Sequence, residues 1–227
     1  MDSFAVRADG VHVLGIFVQL DHLSGNQLDF ILDKVAKELS ARKALDWLKY
    51  SREAAEACRQ LKDYDEAERF ITAARAKISQ DAEPLEVSLI LFTASRIYFG
   101  QGKFAEALPA ALAAVDKMKI AAPNDFDKLS DQLIHLGNVY SKLGDHDAAL
   151  ASFKRAVEAQ ANNPNPENAI RELASRSVGQ ELMNLKRFAE AVKVLEDLLA
   201  RQRKFLYETQ PRVEAVKQLL AQARENL

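Results

Sequence analysis

Apolar and small residues recur along the chain in a pattern that is typical of packed amphipathic helices. The clearest block consists of Leu136, Gly137, Tyr140, Ala149, Phe153 and Ala156. Matching blocks begin at Ala54, Ala94 and Val178, so the interval between successive copies is nearly constant. Residues three and four apart share one face of a helix, and small residues let two helix backbones approach closely. Each block therefore predicts two successive helices that pack against each other.

The spacing of the blocks predicts the limits of the repeats. Four full copies are expected over residues 48–81, 88–121, 130–163 and 172–205. A degenerate first copy is expected over residues 8–41, where Gln27 and Lys34 occupy positions that are small elsewhere. Residues 211–227 are expected to form a helix that caps the last repeat. Because no repeat can bury its apolar face alone, we expect one all-α domain over residues 1–227, with about eleven helices.

Local signals mark where the helices begin and end. A ring-bearing residue stands where each second helix is predicted to begin, at Tyr64, Phe104, His146 and Phe188. Proline is tolerated in the first turn of a helix, and one precedes the first helix of several pairs, at Pro84, Pro166 and Pro211. Gly102 and Gly144 are expected in the tight turns inside two of the pairs.

This pattern resembles the tetratricopeptide repeat, an antiparallel helix pair, and the six residues of the clearest block match it in full. The usual repeat of the family is about 34 residues long. The longer interval in this chain, roughly 40 residues, is similar to that of the variants with longer helices, such as those of kinesin light chain. The resemblance covers nearly the whole chain. It implies a right-handed superhelical solenoid of antiparallel helix pairs, whose first helices line a concave groove.

Composition and charge narrow the class of partner. The chain has 31 Lys and Arg against 33 Asp and Glu, a formal net charge of −2, so we expect no binding to nucleic acid. The most apolar stretch, Val11–Leu20, is interrupted by polar residues and is too short to span a membrane. One cysteine cannot form an internal disulfide, which favours a reducing, cytoplasmic location.

No arrangement of residues predicts catalysis. The sequence has no Gly-rich phosphate loop, no metal-binding His-Glu-x-x-His motif and no paired cysteines. None of the four histidines, His12, His22, His135 and His146, is followed three or four residues later by a metal-ligand partner. We therefore expect no enzyme activity, no metal and no cofactor. Cys58 falls where other repeats have Tyr98, Tyr140 or Leu182, and we interpret it as a small buried hydrophobe.

Side chains that the packing pattern does not need are the candidates for binding. One such residue per repeat is expected to face the groove, at Glu56, Arg96, Asn138 and Gln180. With the residues one helical turn away, the predicted groove consists of Arg52, Glu56, Phe92, Arg96, Phe99, Ile134, His135, Asn138, Arg176, Gln180, Met183 and Asn184. Arg, Asn and Gln donate hydrogen bonds to a peptide backbone or a carboxylate. Such a row predicts an interaction module that holds an extended or helical peptide of another protein.

Two interpretations of this row stay open. In the first, Phe92, Phe99, Ile134 and Met183 are exposed in an empty groove, and an acidic or extended peptide covers them. In the second, the row is an ordinary solvated helix face, and neighbouring repeats cover its apolar members.

The N-terminal helix pair offers an alternative function. Its first helix is apolar on nearly all sides, notably at Val11, Leu14, Phe17 and Val18. A helix of this kind needs a cover. The N-terminal residues and the helix over 26–40 could provide it, or a second copy of the chain could do so. The alternative is therefore a self-associating or peptide-sensing regulatory protein.

Overall fold

The computed structural model describes residues 44–161, 163–164, 169–204 and 210–227. Within these ranges the chain has nine helices and no strand. The helices are α1 (Ala44–Gln60), α2 (Tyr64–Ala76), α3 (Pro84–Gly100), α4 (Phe104–Ala121), α5 (Phe126–Lys142), α6 (His146–Ala161), α7 (Ala169–Asn184), α8 (Phe188–Gln202) and α9 (Pro211–Glu225). The two further helices expected over residues 8–41 lie outside the described residues. So do Val11, Leu14, Phe17 and Val18, and self-association through them stays a prediction.

The predicted helix starts are confirmed. The four ring-bearing residues are the first residues of α2, α4, α6 and α8, and Pro84 and Pro211 are the first residues of α3 and α9. Pro166 lies outside the described residues. The agreement arises because proline, caps and tight turns act locally, within one or two turns of the helix that they begin or end.

The described residues divide into two compact units, one ending at Lys103 and the other beginning at Phe104. In the first unit, α1, α2 and α3 pack against one another. In the second unit, each helix from α4 to α9 packs against the next, and α7 also contacts α5 and α9. Each unit is thus an all-α solenoid of antiparallel helices, as the repeat pattern predicted. The prediction of one domain over residues 1–227 stays a prediction.

Small residues on the first helices of the second unit receive large side chains from the second helices. A Cβ atom added to Gly137 would lie 2.6 Å from Cε1 of Phe153, and one added to Gly179 would lie 2.6 Å from Cδ2 of Leu195. Both distances are shorter than carbon atoms tolerate. The repeat therefore needs glycine at these two positions because each large side chain packs directly against the facing helix backbone.

The four turns inside the helix pairs share one backbone conformation. Gly102 and Gly144 have φ angles of 77° and 81°, and Lys62 and Lys186 stand at the same place in the other two repeats with φ angles of 62° and 58°. In each turn the following N–H donates to a carbonyl five residues earlier, as in Lys186's turn, where Arg187 N lies 2.8 Å from Leu182 O. This bond is the signature of a helix end with a left-handed residue. Two lysines therefore hold a conformation that favours glycine.

We expect Lys186→Gly to stabilise the fold by about 1 kcal/mol, because glycine adopts the left-handed conformation without a Cβ clash. Gly144→Ala is the reverse change, and we expect it to lower the free energy of unfolding by about the same amount. Nothing lies within 4 Å of a Cβ atom added there, so the loss reflects only the strain of alanine in the left-handed backbone conformation. Urea unfolding of both variants measures the two effects. A loss of stability in Lys186→Gly would contradict the assignment of strain to this turn.

Candidate functional site

The predicted groove residues fall into two surfaces, one in each unit. The α1–α3 surface consists of Arg52, Glu56, Phe92, Arg96 and Phe99. The α5–α7 surface consists of Ile134, His135, Asn138, Arg176, Gln180, Met183 and Asn184. Each surface brings together residues of two first helices that contact each other, α1 with α3 and α5 with α7.

The charged groups of the α1–α3 surface are already paired with one another. Glu56 accepts two hydrogen bonds from Arg59, at 2.8 and 2.7 Å, and its Oε1 lies 3.2 Å from Nη1 of Arg96. Arg52 Nε donates to Glu86 Oε1 at 2.7 Å. Burial raises the pKa of the Glu56 carboxyl, but the hydrogen bonds from Arg59 and the charge of Arg96 outweigh it and lower the pKa below its usual value. Glu56 is therefore ionised at neutral pH, and both arginines of this surface have carboxylate partners within the chain.

Phe92 is buried, contrary to the first of the two interpretations of the row. The Phe92 side chain is only 8% exposed, and the guanidinium of Arg96 lies 5.3 Å from the centre of its ring. This arrangement is a cation–π contact between residues one helical turn apart. Phe99 is half-buried. The α1–α3 surface is therefore a charge-paired face on which Phe92 is covered and Phe99 is half-buried.

Ile134 is likewise covered, contrary to the expectation for an empty groove. It is 4% exposed and belongs to the hydrophobic core of the second unit. Met183 is half-buried and packs against the same core. Ile134 and Met183 thus stabilise the packing of the helices. This agrees with the second interpretation, in which neighbouring repeats cover the apolar residues of the row.

The polar members of the α5–α7 surface are open to solvent. Asn138, Gln180 and Asn184 are exposed, whereas His135 and Arg176 are half-buried. Gln180 Nε2 donates to Asn184 Oδ1 at 3.4 Å, a long and weak hydrogen bond. Among the described residues, no carboxylate forms an ion pair with Arg176. This surface thus keeps the cation of Arg176 and the carboxamides of Asn138 and Gln180 available.

The structure extends this surface to a helix that the sequence reasoning left out of it. Gln222 on α9 is exposed, and it follows Gln180 by the same interval as Gln180 follows Asn138. We call Asn138, Gln180 and Gln222 the carboxamide row. The helices that carry it, α5, α7 and α9, contact one another in that order. The signal was present in the sequence, because Leu220 and Ala221 repeat the residues that precede Asn138.

A buried carboxylate beside this surface was not predicted. Glu181 is 4% exposed and accepts hydrogen bonds from three side chains. The donors are Ser141 Oγ at 2.6 Å, His146 Nδ1 at 2.8 Å and Asn184 Nδ2 at 3.2 Å. The equivalent residues of the other repeats are Ala57, Ile97 and Val139, so a charge at an apolar repeat position was the available signal.

This cluster is arranged as a structural hydrogen-bond hub. The hydroxyl of Ser141 and the imidazole of His146 each contact the carboxylate of Glu181. Nucleophilic activation needs the imidazole between the hydroxyl and the carboxylate, which is a different order. The cluster instead ties the turn between α5 and α6 to α7, and through Asn184 it reaches the α5–α7 surface.

Other candidate chemistry is absent from the part of the chain that the structure describes. Burial, with the negative charges of Asp63 and Glu66, raises the pKa of the Cys58 thiol to about 12, so the reactive thiolate is scarce at neutral pH. No group of three metal-ligating side chains is found among the described residues. Nor does any helix in the described ranges have the length and apolarity needed to cross a bilayer.

Comparison with known proteins agrees with the repeat pattern. The sequence profile of the tetratricopeptide repeat matches residues 133–163. No curated protein sequence matches the chain.

Three solved structures resemble the chain in fold. Nearly identical TPR-like repeats of a putative kinesin light chain from Podosopora anserina superpose with a TM-score of 0.71 at 20% identity, covering 82% of this chain and 89% of that one. BtubC (BKLC) from P. vanneervenii has a TM-score of 0.71 at 16% identity, covering 85% and 79%. A chain of the Cut9–Hcn1 hetero-tetramer of the APC/C has a TM-score of 0.59 at 17% identity, covering 77% and 29%. The chain therefore carries a tetratricopeptide repeat in its sequence and has the fold of tetratricopeptide-repeat proteins, including those of the kinesin light chain type.

Proposed function

We propose that this chain is a scaffold that binds an extended peptide segment of another protein along the carboxamide row and Arg176. The observation that carries the proposal is the exposure of Asn138, Gln180 and Gln222 at equal spacing on three first helices that contact in order. The fold itself is that of a protein-interaction scaffold. The similar Cut9–Hcn1 structure is described as a hetero-tetramer, so one protein with this fold assembles with another.

The chemistry of a carboxamide fits the backbone of an extended peptide. Each Asn or Gln side chain both donates and accepts hydrogen bonds, and a peptide backbone offers both kinds of partner at every residue. Packed helices lie roughly 8–10 Å apart. An extended chain advances about 3.3 Å per residue. A peptide that crosses α5, α7 and α9 therefore meets one carboxamide at about every third residue, whatever its sequence.

The charges of the two surfaces indicate how many acidic groups the bound peptide needs. Arg52 and Arg96, which the sequence favoured as hooks for an acidic ligand, already contact Glu86 and Glu56. Arg176 has no such carboxylate in the described part of the chain. We infer that the partner carries one acidic side chain, or a terminal carboxylate, near the centre of the bound segment. A long acidic segment would gain little from the α1–α3 surface.

The location and the chemistry of the scaffold are part of the same proposal. We place it in the cytoplasm, which the single cysteine of the sequence supports. We also propose that it acts by binding alone, in line with the use of this fold as an interaction module.

Affinity capture with mass spectrometry tests the proposal in two stages. The wild type is compared with a triple variant, Asn138→Ala, Gln180→Ala and Gln222→Ala, and with a control triple, Lys154→Ala, Glu158→Ala and Lys193→Ala. The control residues lie on the second helices α6 and α8, away from the row. Equal circular dichroism spectra verify that all three fold alike. We expect a partner to be lost from the carboxamide variant only.

Fluorescence anisotropy with a peptide from the captured partner then measures the affinity directly. Two to three lost hydrogen bonds of about 1 kcal/mol each predict at least tenfold weaker binding in the carboxamide variant. Arg176→Gln should weaken an acidic peptide more than the same peptide with its carboxylate amidated. Equal affinity of the wild type and the carboxamide variant would exclude the row as the binding site.

A further inference from the structure

A second polar cluster lies between α7 and α8, on a different face of α7 from Arg176. It contains Arg171 and Ser175 of α7 and Arg201 near the end of α8. Arg171 and Ser175 are one helical turn apart, in register with Val178 and Leu182, which are buried in the core of the second unit. The two arginines are half-buried, so each keeps part of its surface in contact with solvent.

The guanidinium groups of this cluster lack the partners that partly buried arginines normally have. The Nε atom of Arg171 is fully buried and has no hydrogen-bond acceptor among the residues that the structure describes. Arg201 Nη2 donates to the buried Ser175 Oγ, at a long 3.3 Å. In the described ranges of the chain, neither arginine forms an ion pair with a carboxylate. An unsatisfied buried N–H of a cation is costly.

The two arginines are also close enough to repel each other. Burial lowers the pKa of the Arg201 guanidinium, and the positive charge of Arg171 lowers it further, while Asp197 and Glu172 offset part of this effect. Glu172 is already shared, since its Oε2 accepts from Gln202 Nε2 at 3.3 Å and from Arg212 Nη1 at 3.4 Å. Neither carboxylate forms an ion pair with Arg171 or Arg201 in the described part of the chain.

We propose that Arg171 and Arg201, with the hydroxyl of Ser175, form a binding site for a phosphate group. Two guanidinium groups with open donors match the several acceptor oxygens and the double charge of a phosphate monoester or inorganic phosphate. A bound dianion relieves the repulsion between the arginines. It also gives the Arg171 side chain an acceptor that the described part of the chain does not supply. A carboxylate brings one charge and fits the pair less well.

The site is independent of peptide binding by the carboxamide row. Its residues lie between α7 and α8, whereas the row lies on the exposed sides of α5, α7 and α9. One proposal can therefore fail while the other stands.

Nuclear magnetic resonance on the full chain tests the site. Titration with inorganic phosphate at constant ionic strength should shift the backbone amides around Arg171, Ser175 and Arg201, and chloride or acetate should not shift them. Arg171→Gln and Arg201→Gln should each weaken phosphate binding at least tenfold. Arg155→Gln, an exposed arginine of α6, is the control and should leave the affinity unchanged. The shifts in the wild type localise the site even if a variant fails to fold.

Comparing a phosphoserine peptide with inorganic phosphate distinguishes which kind of molecule carries the bound phosphate group. Tighter binding of a phosphoserine peptide than of inorganic phosphate would assign the site to a phosphorylated partner. Equal binding of the two would assign it to a small phosphorylated molecule, and either result supports the site. Shifts spread over all basic residues, equal responses to acetate and phosphate, or unchanged affinity in both arginine variants would overturn the proposal.

Discussion

Replacing Phe153 by Ala is expected to lower the free energy of unfolding by about 3–5 kcal/mol. The Phe153 side chain is 2% exposed and lies in the core of the second unit. Its ring packs directly on the backbone of α5 at Gly137, where an added Cβ would lie 2.6 Å away. A helix backbone cannot move in to fill the space that the ring leaves, so most of the cavity persists.

Phe188→Ala is the matched control for this prediction, because Phe188 is a half-buried ring of the same unit. We expect it to cost less than half as much, since truncation there removes fewer contacts. Chemical denaturation monitored by circular dichroism measures both changes. Similar losses in the two variants would mean that Phe153 does not occupy a tightly packed site.

Double-mutant analysis tests the contact between Phe153 and Gly137 itself. Gly137→Ala alone should destabilise by about 1–3 kcal/mol, because the added methyl group overlaps the ring. In the Phe153→Ala background the same methyl group enters the cavity, so the double variant should be more stable than the sum of the single changes by at least about 1 kcal/mol. Additive changes would show that the two residues are not in contact.

Replacing Glu181 by Ala should be the second most damaging change, with a loss of about 3 kcal/mol. The substitution removes the acceptor of the hydrogen bonds from Ser141, His146 and Asn184. The hydroxyl and the imidazole then lose their partner beside a buried site. Glu190→Ala is the control, since Glu190 forms an ion pair of 2.6 Å with Arg187 at the exposed start of α8. For Glu190→Ala we expect no change in the free energy of unfolding beyond experimental error, because water screens this ion pair.

A compensated variant separates the buried charge from the hydrogen bonds that surround it. Combining Glu181→Val with Ser141→Ala and His146→Phe removes the acceptor together with two of its three donors, and leaves only the exposed Asn184. The changes at 181 and 146 restore the residue types of other repeats, such as Val139 and Phe104. Replacing both partners of a buried polar contact by apolar groups is often nearly neutral. We therefore expect the triple variant to regain most of the stability that Glu181→Ala loses. If the triple variant is less stable than Glu181→Ala, the hub is not the source of the effect.

The local features of the fold could be predicted from the sequence, whereas the state of the groove side chains could not. Ring-bearing residues and prolines marked the helix starts, because such signals act within a few residues. The sequence left open whether Phe92 and Ile134 are exposed or covered, and the structure shows that both are buried. The position of a residue in the repeat identifies which residues share a helix face. Whether a residue on that face is exposed depends on the other side chains that pack over it, such as the Arg96 guanidinium over the Phe92 ring.

The sequence by itself thus determined the helix pairs and their spacing, since periodicity and small residues encode how each helix packs on the next. Only the tertiary structure decided which polar groups are still available. Glu56 holds Arg96 of the following repeat, and Glu181 holds Ser141 of the preceding one. It also decided that Lys62 and Lys186 adopt the left-handed turn of the glycines. Pairing between stacked helices depends on side-chain distances across repeats, and these become defined only when the repeats are packed together.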